Sequence, residues 1–367
     1  MSVSSIRFSK DHNQDFYKVL QQRVSNYFKT ENISRHGNFN MIIKTIAMLA
    51  MYLVPFSMLF VLENPILLTL MWVIMGFGMA GIGLSIMHDA NHGSYSKNKF
   101  VNKLLGHVIT IIGGLDVTWK IQHNVLHHTY TNVTGMDEDI DPGMLLRFTP
   151  HEKRRKFHKF QHIYGWFLYG FMTILWSTVK DFKALKKYRD MDLLKTQNTT
   201  YAKSLTALII FKLAYFAIFL LFPLQFSASS TLAVVLNFAL MHFICGFILA
   251  IIFQPAHVIP SSDYPMPNNS GNIEADWAVN QLYNTANFAP RARLFTWYVG
   301  GLNYQVEHHL FPNICHVHYK KISKIVSETT KEFNLPYYSQ KTFLKALQLH
   351  TKMLYNLGHY DNAPAIA

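Results

Sequence analysis

Three groups of closely spaced histidines stand out among the 19 in this 367-residue chain. The first is His88-Asp89-Ala90-Asn91-His92, where the spacing puts two imidazoles on one helix face, one turn apart. In the second, His123-Asn124-Val125-Leu126-His127-His128, α-helical geometry lets His123 and His127 share a face and sets His128 about 100° further round. The third, Gln305-Val306-Glu307-His308-His309, places Gln305, His308 and His309 at i, i+3 and i+4, again on one face. His257 stands alone between the second and third groups. Eight imidazoles and one amide are more neutral donors than a tetrahedral zinc needs, and they suit two metal ions with open positions. One such pair arises by chance, and a lone histidine is usually a hydrogen-bonded structural residue. Three multi-histidine groups in one chain point instead to a shared metal site.

The elements that must position these groups are set by hydropathy. Half of the residues are hydrophobic and 15% are charged, against about 25% charged in ordinary soluble domains. That composition excludes disorder, and the two cysteines, Cys245 and Cys315, make no disulfide framework. Four blocks have the roughly 20 apolar residues that a bilayer span requires: 41–62, 66–87, 205–226 and 232–253. Glu63, Asn64 and Pro65 alone separate the first two, and 223–230 links the last two, so the blocks are expected to pair as two hairpins. His88 and His92 then fall at the end of the second span, and His257 four residues past the fourth. Two shorter apolar stretches, 104–117 and 164–179, are expected to lie in the membrane plane or to be re-entrant.

Charge gives an orientation. The net charge is +13, and every Lys and Arg except Lys44 and Lys212 lies before the first block, between the second and third, or after the fourth. Both hairpin loops have none. Cytoplasmic loops retain positive residues, so both termini and all three histidine groups are expected on the cytoplasmic side. The polar first forty residues do not read as a cleavable signal peptide. The surplus is thus topological. Its densest run, Arg154, Arg155, Lys156 and Lys159, reads mostly as a solvated face with an affinity for phosphate, and no aromatic-basic pattern suggests nucleic acid.

Imidazole suits iron, copper, nickel and zinc. There is no nucleophile elbow, Walker loop or dinucleotide-binding glycine loop. A site at the mouth of a membrane bundle meets lipid, whose acyl chains offer unactivated methylenes that acids, bases and nucleophiles do not attack. Removing hydrogen from them takes a metal that activates dioxygen, which makes two irons the natural inference.

The groups resemble the histidine boxes of integral-membrane fatty acid desaturases in order, spacing and position relative to the spans. The resemblance rests on His88-Asp89-Ala90-Asn91-His92-Gly93, on Trp119 upstream of His123, and on Asn303-Tyr304-Gln305-Val306-Glu307-His308-His309-Leu310-Phe311-Pro312. A third box opening with Gln is similar to the front-end class, which includes Δ5, Δ6 and linoleoyl-CoA-type enzymes. The resemblance covers residues 40–330 and implies an all-α integral membrane protein, with four transmembrane helices in two hairpins and a cytoplasmic helical cap carrying a di-iron site. The expected ligands are His88, His92, His123, His127, His128, His257, His308 and His309, with Gln305 as a ninth. The domain plan expected is a cytoplasmic segment 1–40, a membrane desaturase domain 41–330 and a cytoplasmic tail 331–367. The family further implies a long-chain acyl substrate linked to CoA, lipid or carrier protein, a new cis double bond, and electrons from a separate protein. No His-Pro-Gly-Gly haem motif of a fused cytochrome b5 domain occurs, so ferredoxin, a flavodoxin-like protein or free cytochrome b5 is the expected donor. Zinc binds nitrogen sites more tightly than ferrous iron and is expected to mis-metallate an overproduced sample.

Stearoyl-CoA-type relatives carry an Asn four residues before the post-span histidine, where this chain has Phe253 followed by Gln254. Asp89 and Glu307, inside their boxes, are placed to orient imidazoles from behind, and Trp119 to line the acyl tunnel. Asp137, Glu138, Asp139 and Asp141 either orient imidazoles, bind a donor, or form a solvated loop closed by Pro142-Gly143. His242 and Asn237 lie inside the fourth span, where an interhelical hydrogen bond is expected. His107, His151, His158, His162, His316 and His318 lack partners at ligand spacing and read as structural. Rival readings are a di-iron lipid hydroxylase or other oxygenase, and a non-enzymatic haem or metal-transport protein. Transport would need polar residues lining the bilayer interior, and a haem cytochrome would need paired histidines within the spans, where only His242 lies.

Overall fold

The computed structural model describes residues 6–9 and 14–361; Lys10 of the N-terminal segment and residues 362–367 of the tail lie outside them. The chain is mostly helical, as expected. Its principal helices are α1 (Gln14–Thr30), α2 (Phe39–Met58), α3 (Pro65–Asn91), α4 (Lys99–Ile112), α5 (Asp116–His127), α6 (Gln161–Tyr169), α7 (Asp181–Asp190), α8 (Tyr201–Phe226) and α9 (Thr231–His257). They continue with α10 (Trp277–Asn284), α11 (Gln305–Leu310), α12 (Tyr319–Glu332) and α13 (Phe343–His359). Two short parallel ladders join β1 (Arg7–Phe8) to β2 (Asn272–Ile273) and β3 (Ala286–Phe288) to β4 (Tyr338–Gln340). Two compact units result. One comprises Met1–Gly37, Gln122–Gly165 and Ile252–Ala367, and the other Asn38–Ile121 and Trp166–Ile251.

Among the described residues, α2, α3, α8 and α9 are the four helices long and apolar enough to cross a membrane. They occupy the four expected blocks. In the unit that holds most of their length, large apolar side chains such as Ile46, Ile66, Leu213, Leu221 and Leu232 stand exposed, a surface that water would penalise and lipid accepts. Asn64 caps α3 by accepting from the amides of Ile66 and Leu67 at 2.9 and 3.2 Å, with Pro65 at the first helical position. A Cβ at Gly78 would lie 2.7 Å from the backbone of Met51 and Tyr52, so glycine is what lets α2 and α3 approach. The apolar stretch around 104–117 bends by 110° between α4 and α5, at Gly113 with φ +84°.

Two buried polar networks brace this unit. Lys212 on α8 donates to Gly113 O (2.6 Å), Trp176 O (2.7 Å) and Asp181 Oδ2 (2.7 Å). The other oxygen of Asp181 accepts from Thr118 Oγ1 and Trp176 Nε1. His242 Nε2 lies 2.8 Å from Tyr215 Oη on α8, and its Nδ1 3.2 Å from Thr173 Oγ1, which is the interhelical role expected of it.

The other unit has its core where α1, α10, α11 and α12 meet, around Phe16, Leu20, Leu282, Tyr304, Leu310 and Ile322. Tyr17 Oη donates to Leu310 O at 2.9 Å, and Arg23 grips Glu332 with two bonds of 2.8 and 2.7 Å. Arg147 is buried and satisfied by backbone carbonyls, among them Leu357 O, Tyr360 O and Asp361 O at 2.7–2.9 Å, which fastens the end of α13. The helix in turn reaches the chain beyond α9 through His350 Nδ1 and Val258 O at 2.8 Å. Cys245 and Cys315 are free thiols.

Candidate metal centre

Two of the histidine groups sit beside a widened helical turn. Ile82–Met87 precedes His88, and Ile121–His127 contains His123 and His127; both segments are π-helical. For the second group this changes the geometry expected from an α-helix. The amide of His128 bonds to His123 O at 3.0 Å, an i to i+5 link. In this wider turn positions four and five apart both return to the same side. His123, His127 and His128 therefore converge, and His128 does not diverge by a hundred degrees. The first group keeps the expected i, i+4 relation: His92 N bonds to His88 O at 3.1 Å, and the two rings lie 4.7 Å apart.

In the unit containing α10 to α12, three elements bring six imidazoles together. The ends of α5 and α9 supply His123, His127, His128 and His257, and α11 supplies His308 and His309. Ligand-capable atoms of His127, His257 and His309 lie within 4.8 Å of one another, as do those of His128, His308 and His309. Nε2 of His128 is 3.0 Å from Nε2 of His308 and 3.3 Å from that of His123. All six rings are buried. Spacings of this order match two nitrogens on one ion with bonds of about 2.1 Å.

In four of the six rings Nδ1 is held from outside. His127 Nδ1 lies 3.0 Å from both oxygens of buried Asp137. His257 Nδ1 lies 3.0 Å from Asn284 O, His308 Nδ1 3.2 Å from Tyr319 Oη, and His309 Nδ1 2.8 Å from Gln281 Oε1. Holding Nδ1 in this way aims Nε2 inward, the arrangement that metal-binding imidazoles use. Burial and the neighbouring imidazoles hold the His309 ring well below its ordinary pKa, so it stays neutral. Burial also opposes charge on His127, but the carboxylates of Asp137 and Asp139 win and raise it to about 9.

The donor set passes a direct test of fit. Nε2 of His309 is buried with no hydrogen bond, and the buried Gln305 side chain stands against the His257 imidazole. A buried polar atom left unmatched costs about 1–3 kcal/mol, and an ion held there would satisfy it. Neutral imidazole nitrogens with one amide oxygen suit a divalent transition metal.

The first group belongs to the unit of the apolar helices. There Trp119 stands edge-on to His88 and His92, with ring centroids 5.6 and 5.8 Å away, and Asp89 Oδ1 lies 3.5 Å from His88 Nδ1. Glu307 is buried and accepts from Asn287 Nδ2 (2.8 Å) and Tyr337 Oη (2.9 Å), and burial pushes its carboxyl up to about 7. Since Asn287 also accepts from the amide of Val306 at 2.9 Å, Glu307 ties α11 to the β3 strand.

The acidic run divides by burial. Asp137 serves His127. Asp139 is half-buried, accepts from Gln122 Nε2 at 2.6 Å and has Oδ2 3.5 Å from His127 Nδ1. Asp141 is exposed and accepts from Gly143 N to close the turn. Gln254 donates to Asp139 O at 3.1 Å, while the Phe253 ring lies 6.3 Å from that of His123. Gln281, Asn284 and Tyr319 leave no signal in the sequence: they carry no motif and hold their imidazoles only through tertiary folding. Gln281 does double duty, accepting from Thr131 Oγ1 at 2.8 Å as well. Histidines outside the groups are used structurally, as with His151 to Tyr264 O (2.8 Å) and His158 to Met144 O (3.0 Å).

This arrangement, six buried imidazoles of which four have Nδ1 held from outside, is a histidine-rich candidate metal site in a chain with four helices apolar enough to cross a membrane. A fatty acid desaturase family model matches residues 64–341. The chain is 36% identical to an sn-1 linoleoyl-lipid 6-desaturase of Arthrospira platensis, across 100% of this chain and 98% of that one. It is 35% identical to an acyl-lipid (8-3)-desaturase of Physcomitrium patens, across 97% and 74%. Identity to an sn-1 linoleoyl-lipid 6-desaturase of Synechocystis sp. is 31%, across 98% and 99%. The chain belongs to the fatty acid desaturase family, and it is an oxidoreductase of the front-end kind.

Proposed function

We propose that the chain is a di-iron, dioxygen-dependent desaturase that places a cis double bond in a lipid-linked long-chain acyl group, near its carboxyl side. The observation that carries this reading is the set of inward Nε2 atoms on rings whose Nδ1 is held from outside, by the acceptors Asp137, Asn284 and Gln281 and by the hydroxyl of Tyr319. His123, His127, His128, His257, His308 and His309 would hold the irons together with His88 and His92 of the first group, and Gln305 would be a ninth, weaker donor. Bound iron supplies the dioxygen chemistry that an unactivated methylene pair requires. Everything else is the task of the chain. Asp137 accepts the Nδ1 proton of His127 on its outer side, so that Nε2 is the atom that would hold a metal. Gln281 fixes His309 and Thr131 at once, which keeps the ring from rotating and its Nε2 turned toward where a metal would be held. Trp119, edge-on to His88 and His92, would wall the acyl chain, and Asp89 would steady His88.

The acyl-lipid substrate is supported by the names of the relatives, and the charge distribution supports a cytoplasmic site with both termini on that side. In this reading α2–α3 and α8–α9 form two hairpins, α4–α5 dips back rather than crossing, and residues 41–330 form the membrane enzyme between cytoplasmic segments 1–40 and 331–367. Electrons come from a separate donor protein. A hydroxylase keeps the same centre and is the second reading. Expression in a host without polyunsaturated lipids, fed candidate acids, with double bonds mapped by mass spectrometry, decides between them. New alkenes are expected, and hydroxylated chains without alkene would overturn the desaturase reading.

A further inference from the structure

We propose that residues 289–295 and 341–345 form the docking surface for a small acidic one-electron carrier protein, an inference that rests on the desaturase reading. The two segments are held side by side. Phe288 pairs with Gln340 in the β3–β4 ladder, Ala289 N bonds to Gln340 O at 2.9 Å, and the Phe343 ring packs 5.5 Å from Phe288 and 4.9 Å from Phe295. On this platform stand Arg291, Arg293, Lys341 and Lys345, all exposed. Among them Leu294 is 86% exposed and Leu344 64%. Residues 286–299 and 336–352 contain no Asp or Glu, and the ion pairs of the described residues involve none of these four cations. A merely solvated basic face has no use for two bare leucines next in the chain to its cations. A transient redox encounter does, because such interfaces are small, steered by opposite charge and seated on a modest apolar centre.

The platform is also wired to the third histidine group. Phe288 N bonds to Asn303 O at 2.9 Å, and Asn303 Nδ2 returns a bond to Phe288 O at 3.1 Å. Asn287 accepts from Val306 N and donates to Glu307 Oε2, and His308 and His309 follow directly. An electron arriving at β3 therefore has a short route of covalent and hydrogen bonds to those imidazoles, which favours a redox protein over an anionic lipid as the occupant. The balance is fixed by the chemistry. Two carrier molecules are each oxidised by one electron, the acyl chain gives up two hydrogens as its double bond forms, and two protons come from water. One dioxygen is reduced to two waters.

The test uses the full chain in lipid nanodiscs and the charge-reversed variant R291E/R293E/K341E/K345E. Donor affinity is measured by surface plasmon resonance on metal-free protein, with a plant-type [2Fe–2S] ferredoxin and a soluble cytochrome b5 as probes. On iron-loaded protein, turnover is driven either by these donors or by dithionite with methyl viologen. Reversal is expected to weaken donor binding and raise the KM for donor by about tenfold or more, and to abolish their dependence on salt. Turnover with the chemical reductant, which needs no docking, is expected to stay within about twofold. A milder variant, L294A/L344A, guards against misfolding and is expected to weaken donor binding without changing its salt dependence. Unchanged donor affinity in both variants would overturn the inference. So would failure of both acidic donors where the chemical reductant works, or loss of binding to phosphatidylglycerol vesicles with donor affinity intact. No wild-type desaturation with any reductant would instead sink the desaturase reading, and this inference with it.

Discussion

Asp137 holds Nδ1 of His127 with both carboxylate oxygens at 3.0 Å, and the same side chain accepts the backbone amides of Asn132 and Asp139 at 2.9 Å. One buried carboxylate thereby fixes a ring and the loop that carries it. Asp137→Asn keeps the shape and removes the charge. Metal affinity is expected to fall by about 10–100-fold, read as metal retained per chain during titration with a chelator. Wild-type retention would show that Asp137 only shapes its loop.

Gln281 offers a sharper separation of site from scaffold. Its Oε1 receives both His309 Nδ1 and Thr131 Oγ1 at 2.8 Å. Gln281→Leu leaves both groups without that acceptor, at about 1–3 kcal/mol for each buried polar atom. A lowered melting temperature and weaker metal binding are expected together, whereas Gln281→Glu is expected to keep the metal. Normal metal binding in the leucine variant would refute the assigned role.

The acidic run shows what could and could not be read in advance. Hydropathy and spacing were enough to locate the four apolar helices and the three histidine groups, because both patterns are local in the chain. Spacing alone gave Asp137 and Asp141 the same standing, and only burial separates them. The π-helical turn at 121–127 was also invisible, since an i to i+5 bond leaves no mark in residue types. Gln281, Asn284 and Tyr319 reach their histidines from elsewhere in the chain, across the turns and strands around α10 and α11. His257 was placed past the fourth span by hydropathy, yet α9 continues to it through Pro255. Hydropathy reads solubility in lipid and is blind to hydrogen bonding.

Lys212 and Asp181 form a buried ion pair at 2.7 Å. Lys212→Met strands the Asp181 carboxylate, and breaking such a pair costs about 3–5 kcal/mol. A large drop in folded yield or melting temperature is expected, with partial recovery in K212M/D181N. A double variant no better than the single one would show that the two residues are not energetically coupled.

Glu152 supplies a pH test away from the histidines. Burial, with a contribution from Asp141, raises its carboxyl from 4.5 to about 7. Between those values the folded chain keeps a proton that the unfolded chain has lost, so this group's contribution to stability is fully present below 4.5 and disappears as pH rises through 7. Glu152→Gln removes that dependence. The melting temperature of the variant relative to wild type is expected to rise from pH 5 to pH 8. A constant difference across that range would contradict the assignment.

The most direct measurement is the number of irons in protein reconstituted anaerobically with ferrous iron, counted by mass spectrometry and examined by Mössbauer spectroscopy. Two high-spin irons per intact chain are expected, with loss of iron in His309→Ala and in His88→Ala. A folded wild-type chain that binds one iron or none, or that shows a haem absorption band, would contradict a paired iron site built from these imidazoles.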